Sequence, residues 1–245
     1  MKDRCHIMGK CAQIAYLDAE AASKKYKALG YPNHVFIEND GAQCHIVWNE
    51  VDTILAFRGT EPDEFSDIKA DLNAIPRKAK TSGFVHMGFQ NEVDKIWNTI
   101  CSTLYEQDRW ETDHYICGHS LGGAMATIAA ARLSNPLGVA IAKGLFTYGS
   151  PRVGSRGFSK TISCVHYRHV NNNDIVTKVP FAFMGYKHNG ELRYINHYGK
   201  IRPMTYWQRF KDQWRGRKAA WKKGAKFDGA YDHGMDYYVK YTEDE

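Results

Sequence analysis

The stretch "HYICGHSLGGAMATIAAARL", residues 114–133, sets one serine between glycines, with an apolar run before it and an alanine-rich run at helical spacing after it. Residues 114–118 read as a strand and 120–134 as a helix, which places Ser120 on the turn between them. Gly118, His119, Ser120, Leu121 and Gly122 fit G-x-S-x-G, a pattern that a chain of this composition meets by chance about 0.07 times. The setting adds weight. A strand, a sharp turn and a helix lift a hydroxyl to the carboxyl edge of a sheet, and Gly118, Gly122 and Gly123 let strand and helix approach. The plainer reading is an N-cap serine in a tight turn.

A serine hydroxyl attacks poorly unless an imidazole takes its proton, and the imidazole needs a carboxylate to hold its tautomer and balance its charge. On a sheet of this kind the partners follow in the order Ser, Asp, His. The acid is placed at Asp174, in "HVNNNDIVTKVP" (169–180), a polar loop directly after a strand; its bland reading is an Asx-turn residue. Asp232 adjoins the favoured histidine and suits the role poorly, which leaves Asp228 as the fallback. His233, in "GAYDHGMDYY" (229–238), stands at the head of the last helix and is the expected base. His188, in an apparent hairpin turn, is the runner-up, while His197 in the hairpin's tail reads as a surface or packing residue. Donors for a developing oxyanion are expected from the backbone N–H of Leu121 and from Thr60, which ends the strand "ILAFRGTE" (54–61). A simple strand-end turn at Gly59 is the alternative there.

The rest of the chain reads as alternating elements. A helix is expected over 5–28, then strands in "HVFIEN", "CHIVWN" and "TILAFRG", with a turn at "NDGA" that makes the sheet's beginning antiparallel. "EPDEFSDIKADLNAIP" (61–76) reads as a short helix closed by Pro76, and "GFQNEVDKIWNTICSTLYEQ" (88–107) as a long one with Phe89, Val93, Ile96, Trp97, Ile100 and Leu104 on one stripe. After the strand and helix around Ser120, "GLFTYGSP" (144–151) completes a βαβ unit. A strand at "CVHYRHVN", a hairpin over 182–196 and helices near 205–223 and 231–241 follow. The expectation is one α/β domain over 1–245, with a mixed, mostly parallel central sheet and helices on both faces.

Composition narrows the class. With 245 residues, 43% hydrophobic and 24% charged, the chain has an ordinary globular makeup. No stretch approaches a membrane span. The N-terminal twenty residues carry charges at Lys2, Asp3, Arg4 and Lys10 and lack a signal-peptide core, so the protein as encoded is expected to be cytoplasmic unless a non-classical route exports it. The six cysteines (5, 11, 44, 101, 117, 164) are scattered and read as free thiols. His166, His169 and Cys164 are not expected to bind zinc, because their spacing along a strand sends them to different faces.

The net charge of +6 is unevenly spread. Residues 200–226 hold ten Lys or Arg and one Asp, a local +9 that leaves about −3 (6 − 9) for the remainder. "TYWQRFKDQWRGRKAAWKKGAKF" (205–227) puts Trp207, Phe210, Trp214 and Trp221 on one helical stripe among basic residues. In one reading the aromatics pack on the domain and the positive face is merely solvated. In the other, Trp207, Trp214, Arg215, Arg217, Trp221, Lys222 and Lys223 bind an anionic membrane surface. A nucleic-acid partner is not expected, since no binding motif accompanies the charge.

Four motifs, "AFRGTE" (56–61), "VHMGF" (85–89), "GHSLGGA" (118–124) and "YGSPRVG" (148–154), match in order and spacing those of the class 3, fungal-type lipases, and the chain resembles that family of the α/β-hydrolase superfamily. "NNNDIVTKVP" and "YDHGMDYY" match more loosely. The resemblance implies the α/β-hydrolase fold, Ser120 as nucleophile, Asp174 as acid, His233 as base, and Thr60 and Leu121 as the oxyanion hole. It implies structural roles for His86 and Arg152. In "SDIKADL" the family usually carries an aromatic where Ile68 stands. The activity implied is hydrolysis of acyl esters of glycerolipids through an acyl-enzyme, with a lipid ester as substrate and no metal or organic cofactor. The alternatives are a phospholipase A1-type enzyme on anionic membrane lipids, or a non-catalytic membrane-binding protein that kept the fold.

Overall fold

The computed structural model describes residues 4–60, 75–134, 142–222, 228–243 and 245. The expected short helix at 61–76, the departure at Ile68 and the basic Lys223 fall wholly or largely outside them. A seven-stranded sheet in the order β1-β2-β3-β6-β7-β8-β9 is its frame. The strands are β1 (Asn33–Asn39), β2 (Ala42–Trp48), β3 (Asp52–Phe57), β6 (Asp113–His119), β7 (Ala142–Tyr148), β8 (Val165–Asn171) and β9 (Glu191–Ile195). β1, β2 and β3 pair antiparallel, and every pairing from β3 to β9 is parallel. The short strands β4 (Pro76–Lys78) and β5 (Phe84–His86) form a separate ribbon. This is the mixed, mostly parallel sheet of an α/β-hydrolase.

Side chains alternate across a strand, and here the alternation feeds two cores. Ile46, Leu55, Phe57, Ile116 and Leu145 pack on one face with helices α3 (Met87–Glu106) and α4 (Leu121–Leu133). Val47, Ile54, Ala56, Cys117 and Phe146 pack on the other with α1 (Cys5–Ile14), α2 (Ala19–Ala28) and α8 (Met235–Thr242). Between them in the chain lie α5 (Arg156–Ser159), α6 (Tyr206–Lys222) and α7 (Asp228–Tyr231). The βαβ unit β6–α4–β7 stands at the centre, so the turn carrying Ser120 opens at the carboxyl edge of the middle strand.

Three expectations need correction. The N-terminal helix is two, because Asp18 accepts the Ala21 N–H at 2.8 Å and starts α2 afresh. The last expected helix, over 231–241, starts instead at Met235, after α7 has ended at Tyr231. The hairpin over 182–196 does not form. Ala182–Met184 is a 3₁₀ turn, the Lys187 N–H is drawn to the Gly154 carbonyl at 2.8 Å, and only Glu191–Ile195 joins the sheet, parallel to β8.

Candidate active site

Ser120 leaves β6 with φ 55° and ψ −126°, a backbone conformation that costs a non-glycine residue about 1–3 kcal/mol. Its N–H donates to the Tyr148 carbonyl at 3.0 Å, and its own carbonyl accepts from Gly123 and Ala124 as the first bonds of α4. The turn is this tight because strand and helix touch: a Cβ at Gly118 would stand 2.3 Å from the Gly122 carbonyl oxygen. The first N–H groups of a helix have no acceptor within it, and that of Leu121 lies directly after Ser120. Thr60 lies three residues beyond the end of β3. The residue before it presses on the same turn, since a Cβ at Gly59 would lie 2.6 Å from the His119 carbonyl oxygen.

Asp174 is fully buried and meets donors only. Its Oδ1 accepts the Val176 N–H at 2.9 Å. Its Oδ2 accepts His233 Nδ1–H at 2.9 Å and the Tyr238 hydroxyl at 2.5 Å. Burial and the neighbouring carboxylate push the Tyr238 phenol well up, so it stays protonated and donates. The Tyr238 oxygen in turn accepts the Asn171 N–H at 3.0 Å. Three donors on one carboxylate fix its plane. The bond to Asp174 sets the tautomer of His233, leaving Nε2 as its basic nitrogen.

His119, the variable residue of the serine motif, holds His233 from the other side. Its Nε2 lies 2.7 Å from the His233 carbonyl oxygen, so it must donate there. Its Nδ1 then accepts from the Tyr16 hydroxyl at 2.8 Å. The two imidazoles stand 4.4 Å apart, centroid to centroid. Burial, then the proximity of His233, pushes His119 well below the ordinary histidine range, so it remains neutral beside the His233 ring.

The structure sorts the other sequence candidates. Asp232 accepts the Asn173 N–H at 2.9 Å through its Oδ2 and its carbonyl accepts Asn171 Nδ2 at 2.9 Å, which clamps the acid loop. The side chain of Asp228 lies outside the described residues. His188 gives its Nε2 to the Thr177 carbonyl at 2.8 Å, and burial followed by Arg168 drives its pKa down to about 2. It is a neutral structural histidine. His197 donates its backbone N–H to Asp212 at 2.9 Å. His86 caps α3 and stacks on Phe89 at 4.1 Å. The guanidinium of Arg152 binds the Lys178 and Pro180 carbonyls and braces the loop after Asp174. His166 and His169 sit on opposite faces of β8, the first on Thr147 Oγ1 at 2.9 Å and the second on Glu245 at 2.9 Å. Among the described residues, Cys5, His169 and Glu245 come together as potential ligands, but Glu245 is engaged by Arg193 and His169.

Gly149, Tyr238 and Tyr16 are contributors to which sequence spacing assigned no role in the site, and His119, read from sequence only as part of the G-x-S-x-G turn, gains a contact to His233. Gly149 has φ +59°, and a Cβ there would lie 2.7 Å from Asp174 Oδ2 and 2.9 Å from His233 Nδ1. Its place in "YGSPRVG" was the available signal, since a glycine one residue beyond a central strand has a reason to be bare. Gly149→Ala is expected to displace the Asp174–His233 pair by about 1 Å, a shift that lowers kcat/KM about a hundredfold where such a pair is catalytic. A pH–rate scan of that variant beside its melting temperature checks it; wild-type kinetics would refute the crowding.

With this geometry described, comparison places the chain among known proteins. The family model described as "Lipase (class 3)" matches residues 54–184. The chain is 30% identical over 194 residues to toxin TseL of Vibrio cholerae, a match covering 61% of this chain and 29% of that protein. It is 33% identical over 150 residues to a lipase of Rhizomucor miehei, covering 58% and 41% respectively. The chain therefore spans less than half the length of either relative. The solved structure of lipase II from Rhizopus niveus superposes with a TM-score of 0.66 at 23% identity, over 79% of this chain and 80% of that one.

Proposed function

Because the chain belongs to the class 3 lipase family, we propose that it is a serine carboxylester hydrolase cleaving acyl esters of glycerolipids through Ser120, His233 and Asp174. The observation that carries this reading is the buried 2.9 Å bond from His233 Nδ1 to Asp174 Oδ2, held against His119 next to Ser120. In the first step Nε2 of His233 takes the Ser120 proton as Oγ attacks the ester carbonyl. The oxyanion forms against the backbone N–H of Leu121 and against Thr60. His233 then hands the proton to the departing alcohol, leaving an acyl-serine. Water, deprotonated by the same nitrogen, releases the fatty acid and restores Ser120. A non-catalytic membrane protein would have no use for a buried carboxylate that two other donors hold against one imidazole.

A second reading, a phospholipase A1-type enzyme acting on anionic membrane lipids, is favoured by the exposed tryptophans of α6 described below. Fatty-acid release from anionic phospholipid vesicles, set beside release from a triacylglycerol emulsion with Ser120→Ala as the blank, separates the two. Release mainly from vesicles supports the phospholipase, release mainly from the emulsion supports the neutral-lipid lipase, and absence of both overturns the hydrolase reading. The six cysteines stand as free thiols, which supports a reducing compartment and a cytoplasmic site for the protein as encoded.

A further inference from the structure

Helix α6 is attached by its polar side. Asp212 and Gly216 are its buried residues. Asp212 Oδ2 accepts from Asn172 Nδ2 at 2.7 Å, the Tyr194 hydroxyl at 3.0 Å and the His197 N–H at 2.9 Å. Gln213 adds two bonds: Nε2 donates to the Asn172 carbonyl at 3.0 Å, and its own carbonyl accepts Asn173 Nδ2 at 2.9 Å. The helix is therefore hydrogen-bonded to the loop that carries Asp174, within two residues of it.

The apolar side faces away. Trp207 is 69% exposed, Trp214 63% and Trp221 80%, with Tyr206 and Phe210 exposed beside them. An α-helix turns by about 100° per residue, which puts these five rings within an arc of about 100° and along about 20 Å of helix. Arg217 lies on that arc, Lys218 and Lys211 within about 40° of its edge, and the exposed Lys222 and Arg215 farther round the same side. The helix has one acid, Asp212, and it is buried. A surface helix normally turns its apolar residues inward; this one buries an aspartate and presents three of the chain's six tryptophans to the outside.

We propose that the outer face of α6 docks on an anionic phospholipid bilayer. Indole rings settle at the boundary between headgroups and acyl chains, and Lys and Arg draw acidic headgroups. Rings at one depth along one helix suit a flat apolar boundary, and flanking cations with no exposed acid on the helix suit a negative one. The anchorage through Asn172 and Asn173 then sets the Asp174 loop beside the surface that would hold the substrate. Docking goes beyond the hydrolase reading and needs no turnover, so the two can fail separately.

The test uses the full chain carrying Ser120→Ala, which leaves the lipids intact, in co-sedimentation with phosphatidylcholine vesicles with and without phosphatidylglycerol. Binding is expected to the anionic vesicles, with a blue shift of tryptophan emission. Trp207→Ala/Trp214→Ala/Trp221→Ala should weaken it at least about tenfold and abolish the shift, and Arg215→Glu/Lys218→Glu/Lys222→Glu should weaken it by a similar factor. Melting temperatures and circular dichroism report whether each variant folds, and the single variant Trp214→Ala, expected to lose affinity in part, stands in should a triple variant unfold. Absent binding, equal binding to neutral vesicles, or parental affinity in both variant sets overturns the proposal. Retention on duplex DNA that depends on the basic residues, without vesicle binding, overturns it in favour of a polyanion partner.

Discussion

Ser120→Ala is expected to lower kcat/KM for a water-soluble ester by about five orders of magnitude, or about 7 kcal/mol of transition-state stabilisation. The size follows from what is removed. Without the hydroxyl no acyl-enzyme forms, and the remaining donors at Leu121 and Thr60 can help only a direct attack by water. The fold should survive, because alanine inherits the same φ of 55° and is no larger than serine, so the melting temperature should stay close to that of the parent. Labelling by a fluorophosphonate should vanish in parallel. A variant that keeps a tenth of the parental rate would remove Ser120 from the mechanism.

Asp174→Asn should cost about four orders of magnitude. Every partner of the carboxylate is a donor: the Val176 N–H at Oδ1, and His233 Nδ1–H and the Tyr238 hydroxyl at Oδ2. An asparagine offers one acceptor atom, so one of those donors must face an amide NH₂. If the NH₂ turns to Val176, the imidazolium formed during attack has lost its anion. If it turns to His233, the ring must present its lone pair at Nδ1 and its proton at Nε2, the tautomer that cannot accept from Ser120. Steady-state kinetics together with the rate of fluorophosphonate labelling measure the effect, since both report activation of the same hydroxyl. A loss below about tenfold would move the acid's role elsewhere.

The centre of the fold, the turn at Ser120 and the meeting of Asp174 with His233 were legible because their signals are local. Gly118-His119-Ser120-Leu121-Gly122 encodes its own turn, and Asp174 and His233 each follow a recognisable element boundary. What escaped depends on partners distant in sequence. The 182–196 segment has the look of a hairpin, yet its first arm is captured by Gly154, and no local pattern records that. The α6 stripe was visible, but its direction was not. A hydrophobic period marks two faces and cannot say which is inward, and here the choice is made by Asp212 meeting Asn172, Tyr194 and the His197 backbone. His119 and Tyr238 gained their roles in the same way, by contacts between residues far apart in the chain, from Tyr238 to Asp174 and from His119 to His233.

The order of the elements also schedules activity during synthesis. Ser120 and its turn belong to the middle of the chain, whereas His233 and Tyr238 arrive with α7 and α8 and are seated partly by α1: Gln13 Nε2 reaches Asp236 at 2.6 Å and His6 Nδ1 the Val239 carbonyl at 3.2 Å. A nascent polypeptide can thus complete its sheet on the ribosome while lacking His233, and the Asp174–His233 pair is seated only when α8 has emerged and closed onto α1. For a protein proposed to cleave glycerolipids, that order would hold back any attack on lipid until α8 has been made.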